Sequence, residues 1–184
     1  MEFIMRLVKR IGAILLAPET EWSIIAGEQA SALLLPYIAV LSLVPALARA
    51  IGASFVGSYA PLLPSLAGAL IIYLSGFVIV HVLAFLVDAL APRFAGRKDF
   101  SRALALTVYA ATPVWLAGIF LIVPGLSFLA IFGLYALYLV RSGVPVLMRA
   151  PPDRALAYTV AIAVGALVAI VIVGAIAAPF FSPA

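Results

Sequence analysis

Few side chains in this sequence could hold a proton or a charged ligand in an apolar setting. Two of them, His81 and Asp88, share the stretch IIYLSGFVIVHVLAFLVDAL. Seven residues apart on a helix, they project from one face about two turns from each other. An imidazole followed along its face by a carboxylate is a pattern for relaying protons or cations. The same residues also read as a neutral, hydrogen-bonded His and an Asp paired with a cation, Arg141 being the natural partner. Tyr109, Thr112, Tyr135 and Tyr138 add hydroxyls. The candidate intramembrane polar cluster is therefore His81, Asp88, Tyr109, Thr112, Tyr135, Tyr138 and Arg141. A phosphate-cradling glycine loop, H-E-x-x-H and a nucleophile elbow are all missing from the sequence. With no Cys and one His, it offers no disulfide, no thiolate nucleophile and too few ligands for a zinc site. The expectation is a protein that is not an enzyme and holds no cofactor or metal.

These residues sit in a chain that water alone could not fold. Of 184 residues 67% are hydrophobic and 10% charged, with a mean hydropathy of +1.29. Soluble domains carry about 25% charged residues. Such a chain has too little polar surface to cover a core, so lipid is its solvent. Asn is absent and Gln29 is the single Gln, leaving Ser, Thr, Tyr, His81 and a few charges to meet polar needs inside. The length divides into five spans of about 20 residues with short links. The expected class is an all-α polytopic membrane protein with five transmembrane helices and an amino-terminal amphipathic helix.

Phe3, Leu7, Ile11 and Ile14 recur at helical spacing, with Glu2, Arg6, Lys9 and Arg10 towards the other side. This predicts a helix lying in the headgroup plane, its basic side on anionic lipid, rather than a signal peptide. Pro18 ends it. Thr20 caps a short second helix, Trp22 is expected at the membrane interface, and Glu19, Glu21 and Glu28 hold the segment out of hydrocarbon. Residues 1–30 are thus read as an amphipathic segment and 31–184 as one five-helix membrane domain. The spans are expected near 31–50, 65–90, 101–123, 126–148 and 155–178, with a connection from Gly52 to Pro64. Pro36 and Pro45 bend the first. Pro124-Gly125 separates the third from the fourth. Ala161, Gly165 and Ala169 give the fifth a small-residue stripe, for packing within one chain or across a dimer.

With five spans, one side collects Arg6, Lys9, Arg10, Arg93, Arg97, Lys98, Arg102, Arg141, Arg149 and Arg154, and the other receives Arg49 alone. The positive-inside rule then makes the amino terminus cytoplasmic and the carboxyl terminus external. The candidate surface for lipid or a partner is Arg6, Lys9, Arg10, Trp22, Arg93, Arg97, Lys98 and Arg102. A net charge of +4 is explained by topology and points to no nucleic acid.

Pro18-x-x-x-Trp22-x-x-Ile25, Tyr109-x-x-Thr112-Pro113, Gly118, Pro124, Tyr135, Tyr138-Leu139 and Gly143-x-Pro145 follow one another over nearly the whole chain. In this order they resemble the Yip family of Ypt/Rab-interacting integral membrane proteins, most of all its bacterial branch. The resemblance implies five spans, a cytoplasmic amino terminus, a bacterial inner-membrane location and no catalytic residues. The Asp-Leu-Tyr-Gly-Pro motif of eukaryotic members, which act in vesicle traffic and membrane shaping, is absent from the second span. The expected function is organising membrane, or binding anionic lipid, a protein partner or a second copy, through the basic face. The alternative is a small transporter or channel for an ion, proton or lipid along the intramembrane polar cluster.

Overall fold

A computed structural model of the chain describes residues 2–28, 33–57 and 59–181. Among these, all regular structure is helical: α1 (Glu2–Leu16), α2 (Pro18–Gly27), α3 (Leu34–Leu41), α4 (Leu43–Ile51), α5 (Leu62–Leu90), α6 (Phe100–Ala110), α7 (Thr112–Ala117), α8 (Tyr135–Leu147) and α9 (Pro152–Ala177). Segments of 3-10 or π helix, the longest of them Pro124–Leu134, extend several of these, so that five continuous apolar stretches result: Leu34–Val56, Leu62–Phe94, Phe100–Ile122, Pro124–Leu147 and Pro152–Phe181. Each is long and apolar enough to cross a bilayer. The chain is a multi-pass membrane protein.

Four of the five stretches begin and end within a few residues of the expected bounds. The first differs. It begins at Leu34, the expected residues 31 and 32 lying outside the described residues, and continues past Ala50 through a π turn, Gly52–Val56, into the expected connection. Gly57 N–H reaches Gly52 O at 2.7 Å and Ala60 N–H reaches Ala53 O at 3.0 Å, so the backbone stays satisfied as it leaves the helix.

Breaks in the first and third spans fall near prolines, while Pro36, expected to bend the first, lies within α3 without a break. Pro45 follows the joint at Ser42, and Pro113 follows the joint at Ala111. A proline leaves the carbonyl four residues earlier without its helical donor. Pro113 strands the carbonyl of Tyr109, and Thr112 Oγ1 donates to it at 2.6 Å. The third span is the hub of the fold. Its residues Leu106, Thr107, Val108, Tyr109 and Ala110 are all buried in succession, as in a helix with protein on every side. It packs on the first, second and fourth spans, and the fifth closes against the second and fourth. At the far end Arg49 lies over the Phe181 ring at 5.1 Å. Gly165 packs against Leu86 within this chain.

The amino-terminal segment departs from expectation. α1 is amphipathic, but it does not use its whole apolar side on lipid. Leu7 and Ile14 are buried against protein, while Ile4, Val8 and Leu16 face outwards and Glu2, Arg6 and Lys9 form a polar third sector. Tyr135 Oη donates to Leu15 O at 3.0 Å, and Tyr135 lies midway along the fourth span. From there α2 turns back towards the basic end along α8. The two helices form a re-entrant hairpin wedged beside the third and fourth spans. Trp22 is accordingly buried, 0% exposed, its Nε1–H donating to Ser142 Oγ at 3.0 Å. It is not a surface residue: an indole whose N–H finds a partner packs better on α8 than on lipid.

Gly143 makes that fit possible. A Cβ there would stand 2.8 Å from Trp22 and 2.5 Å from Leu106. Gly143→Val should therefore push the hairpin off α8 and lower the thermal unfolding midpoint of the detergent-solubilised protein. Tryptophan fluorescence would follow it, and an unaltered midpoint would contradict this packing.

Candidate functional site

The hairpin carries charge into the bundle. Arg10 of α1 donates from Nη1 to Glu21 of α2 and from Nη2 to Glu28, the residue that caps α2. The side chains of Arg10 and Glu21 are 11% and 10% exposed, and that of Glu28 is 35% exposed. Burial works against the charge on Arg10. The hydrogen bond to Glu28 and the neighbouring fields of Tyr109, Glu21 and Glu28 outweigh it, moving the pKa above the ordinary guanidinium value. The guanidinium is thus permanently charged, and both carboxylates are aimed at it.

Beneath lies an aromatic and hydroxyl relay. The Arg10 guanidinium sits 5.4 Å from the centre of the Tyr109 ring, within cation–π range. The rings of Tyr109 and Tyr37 meet edge to face at 5.0 Å. Tyr37 Oη and Thr112 Oγ1 are 2.7 Å apart, and since Thr112 gives its proton to the Tyr109 carbonyl, Tyr37 is the donor. Tyr37, Tyr109 and Thr112 are all nearly fully buried. Tyr109 stands nine residues into the third span, about 14 Å of helical rise below its basic end.

Two clefts flank Glu28. One, about 410 Å³, is lined among others by Ile25, Glu28, Asp99, Ser101, Arg102 and Tyr109. The other, about 330 Å³, opens on Arg6, Lys9, Arg10, Glu21 and Glu28. Together they make a polar vestibule at the basic end, with the Arg10 cluster between them.

Of the predicted polar cluster, the structure brings together Tyr109 and Thr112. Tyr135 supports the hairpin through Leu15, and its ring lies 5.4 Å from that of Tyr138, which is exposed. His81 is half-buried, with Nδ1 2.7 Å from its own helix at Phe77 O. Asp88 is half-buried and Arg141 exposed. Among the described residues no ion pair joins Asp88 to Arg141, so that expected pairing is corrected. Arg141 lies on the outer side of α8, where its long stem can reach the interface. Among the described residues, no group of three or more His, Asp or Glu could hold a metal.

Of the predicted surface, Arg6 pairs with Glu2 at 2.5 Å and Arg102 with Asp99 at 3.2 Å. Lys9, Arg93, Arg97 and Lys98 are exposed, Arg10 is drawn inside, and Trp22 is in the core. Sequence reasoning missed Glu21, Glu28 and Tyr37. It took the glutamates as solvated, whereas Glu21 is 8% exposed and both face Arg10. Their spacing of seven along one face, beside a helix that carries Arg6 and Arg10, was the available signal.

A helical bundle with five apolar spans and a re-entrant hairpin defines a polytopic membrane protein. The Yip1 domain family model matches residues 12–175, and the chain belongs to that family. Neither the curated proteins nor the solved structures compared with it gave a match.

Arg10→Gln should leave Glu21 buried without its cation. Breaking a buried pair costs about 3–5 kcal/mol, enough to free the hairpin while the five spans persist. Limited proteolysis of the purified protein should then cut within residues 2–28 far faster than in the parent chain. Equal cleavage rates would refute the clamp.

Proposed function

We propose that this Yip1-domain protein is non-enzymatic and engages anionic lipid through a basic rim, organising the membrane or a partner there. The observation that carries it is the junction of two loops. Arg97 N–H donates to Met148 O at 2.8 Å, lacing the loop after α5 to the link between α8 and α9. Gly96 sits so close to Met148 O that a Cβ there would lie 2.9 Å from it. Ala95 and Arg149 both adopt positive φ, 56° and 53°, to make the crossing. The lacing gathers Arg93, Arg97, Lys98 and Arg149, all exposed and, among the described residues, in no ion pair. Each basic residue near an anionic leaflet contributes about 1 kcal/mol, and salt screens the attraction.

The same charge supports an orientation. The hairpin and the rim lie at one end of the bundle and Arg49 at the other, so the positive-inside rule makes the basic end cytoplasmic and the carboxyl terminus external. The resemblance to the bacterial branch of the family supports a bacterial inner-membrane location, and we take residues 1–30 as the cytoplasmic-face segment and 31–184 as the membrane domain. Protein partners or a second copy would meet the same rim.

The transport alternative has less support. His81 Nδ1 bonds within its own helix, and among the described residues no hydrogen bond or ion pair links His81 or Asp88 to the rest of the proposed path.

Arg97→Glu with Lys98→Glu should weaken binding to phosphatidylglycerol liposomes by about tenfold or more at low salt, from the loss and reversal of two such contributions. The difference should shrink as ionic strength rises. Salt-independent or unchanged binding would count against the rim. For the orientation, a periplasm-active reporter fused after the last residue should be active; a fusion active only in the cytoplasm would reverse the assignment.

A further inference from the structure

The larger cleft beside Glu28 has a chemistry distinct from that of the basic rim. Its volume of about 410 Å³ falls in the range of small-molecule sites, roughly 300–1,000 Å³. One wall is the end of α2, with Ile25, Ala26, Gly27 and Glu28; the other is the start of α6, with Asp99, Ser101 and Arg102; Tyr109 and Leu147 also line it. The two walls carry different groups, a carboxylate at the end of α2 and an Arg102–Asp99 pair at the start of α6. On the α2 side Glu28 gives Oε1 to Arg10, which leaves Oε2 for a further donor. On the α6 side Asp99 is already occupied, accepting from Arg102 N–H at 3.1 Å and lying 3.2 Å from Arg102 Nε. That bond fixes the Arg102 guanidinium and leaves its terminal nitrogens to meet an anion, beside the exposed hydroxyl of Ser101.

A cleft with an acceptor of cations on one wall, a donor to anions on the other and apolar residues between is shaped for a zwitterion. We infer that it binds a phosphoethanolamine group, the ammonium on Glu28 and the phosphate on Arg102 and Ser101. A primary ammonium suits Glu28 because it can donate hydrogen bonds; a choline headgroup cannot. An anionic headgroup without an amine would leave Glu28 facing like charge. The rim of Arg93, Arg97, Lys98 and Arg149 plays no part in this recognition, so the inference stands or falls apart from the function proposed above. The group can arrive as a phosphatidylethanolamine headgroup or as a soluble phosphoethanolamine ester.

The test uses the full-length protein in detergent, offered equal mole fractions of phosphatidylethanolamine, phosphatidylcholine and phosphatidylglycerol and read by native mass spectrometry. The parent chain should retain phosphatidylethanolamine over phosphatidylcholine by about tenfold, the ratio one charge-assisted hydrogen bond supports. Glu28→Gln keeps a partner for Arg10 but removes the charge, and should abolish most of that preference. Ala26→Trp fills the cleft without touching a charge and should abolish it too. Unfolding midpoints close to that of the parent chain would show both variants folded. Glycerophosphoethanolamine tells the sources apart. If it displaces the lipid, the site opens to water; if the lipid preference survives it, the headgroup is presented from the bilayer. Binding of that ester to the parent chain but not to Ala26→Trp, without lipid preference, assigns the soluble form. No preference for either form overturns the inference. So does a preference that both variants keep, one lost only in Arg97→Glu with Lys98→Glu, or a cleft that takes a lysine-rich peptide instead.

Discussion

A guanidinium held below the rim of an apolar bundle must be paired, and that requirement shapes the amino-terminal part of this protein. Arg10 cannot enter alone, because an uncompensated charge away from water is costly. It enters with Glu21 and Glu28, which α2 supplies on its return path. The hairpin is therefore an obligatory unit: α1 brings the cation, Pro18 reverses the chain, and α2 brings the anions. Trp22 on the same short helix locks it to α8 through Ser142. Below, the face of Tyr109 completes the shell around the cation. Two carboxylates face one guanidinium, so the cluster itself carries a formal negative charge, unlike the rim above.

Proline chemistry supplies the second constraint. Breaks at Ser42 and Ala111 would expose carbonyls to lipid if nothing answered them. At Ala111 a hydroxyl answers instead. Thr112 covers the Tyr109 carbonyl and receives the Tyr37 hydroxyl, so one local repair becomes a bond between the first and third spans. Ser42 Oγ donates to Ile38 O at 2.7 Å, a carbonyl that also accepts Ser42 N–H at 2.9 Å, and so reinforces the joint. Close approach then becomes possible where side chains are small: a Cβ on Gly118 would lie 2.6 Å from Pro45. The bends and the close contacts are thus consequences of one another.

The spans were legible because hydropathy and length are the same signal whatever the helices pack against. Residues 101–123 were expected and Phe100–Ile122 is found, since the basic loop before and Pro124 after leave little freedom. The hairpin was not legible. An apolar stripe of Phe3, Leu7, Ile11 and Ile14 reads alike whether it meets acyl chains or protein, and periodicity does not distinguish them. Trp22 was misread for the same reason: indole favours interfaces, but also favours any core that offers an acceptor. Tyr109 and Thr112 were picked out by their place before Pro113. Glu21 and Glu28 were not, because the rule that carboxylates stay in water fails when a cation is delivered to them from another helix. The lacing of the two basic loops rests on a single backbone bond, Arg97 to Met148, and backbone bonds between distant segments leave no mark in composition.

The separation of the two kinds of charge has a physical logic. Arg10 and Glu21 are largely withdrawn from solvent, so salt screens them little, and hydrogen bonds fix their geometry and that of the more exposed Glu28. Such pairs gain little net energy but define one arrangement over others. The exposed cations on the laced loops have the opposite character: each contributes weakly, all are screened, and none demands a particular geometry. A protein that used only the first kind would be rigid and indifferent to its membrane. One that used only the second would adhere without shape. Setting a compensated cluster inside and an uncompensated rim outside lets the fold be specified in one place and the surface charge be adjusted in the other. Substitutions at Arg93, Arg97, Lys98 or Arg149 can change what the rim attracts without touching what holds the hairpin in place.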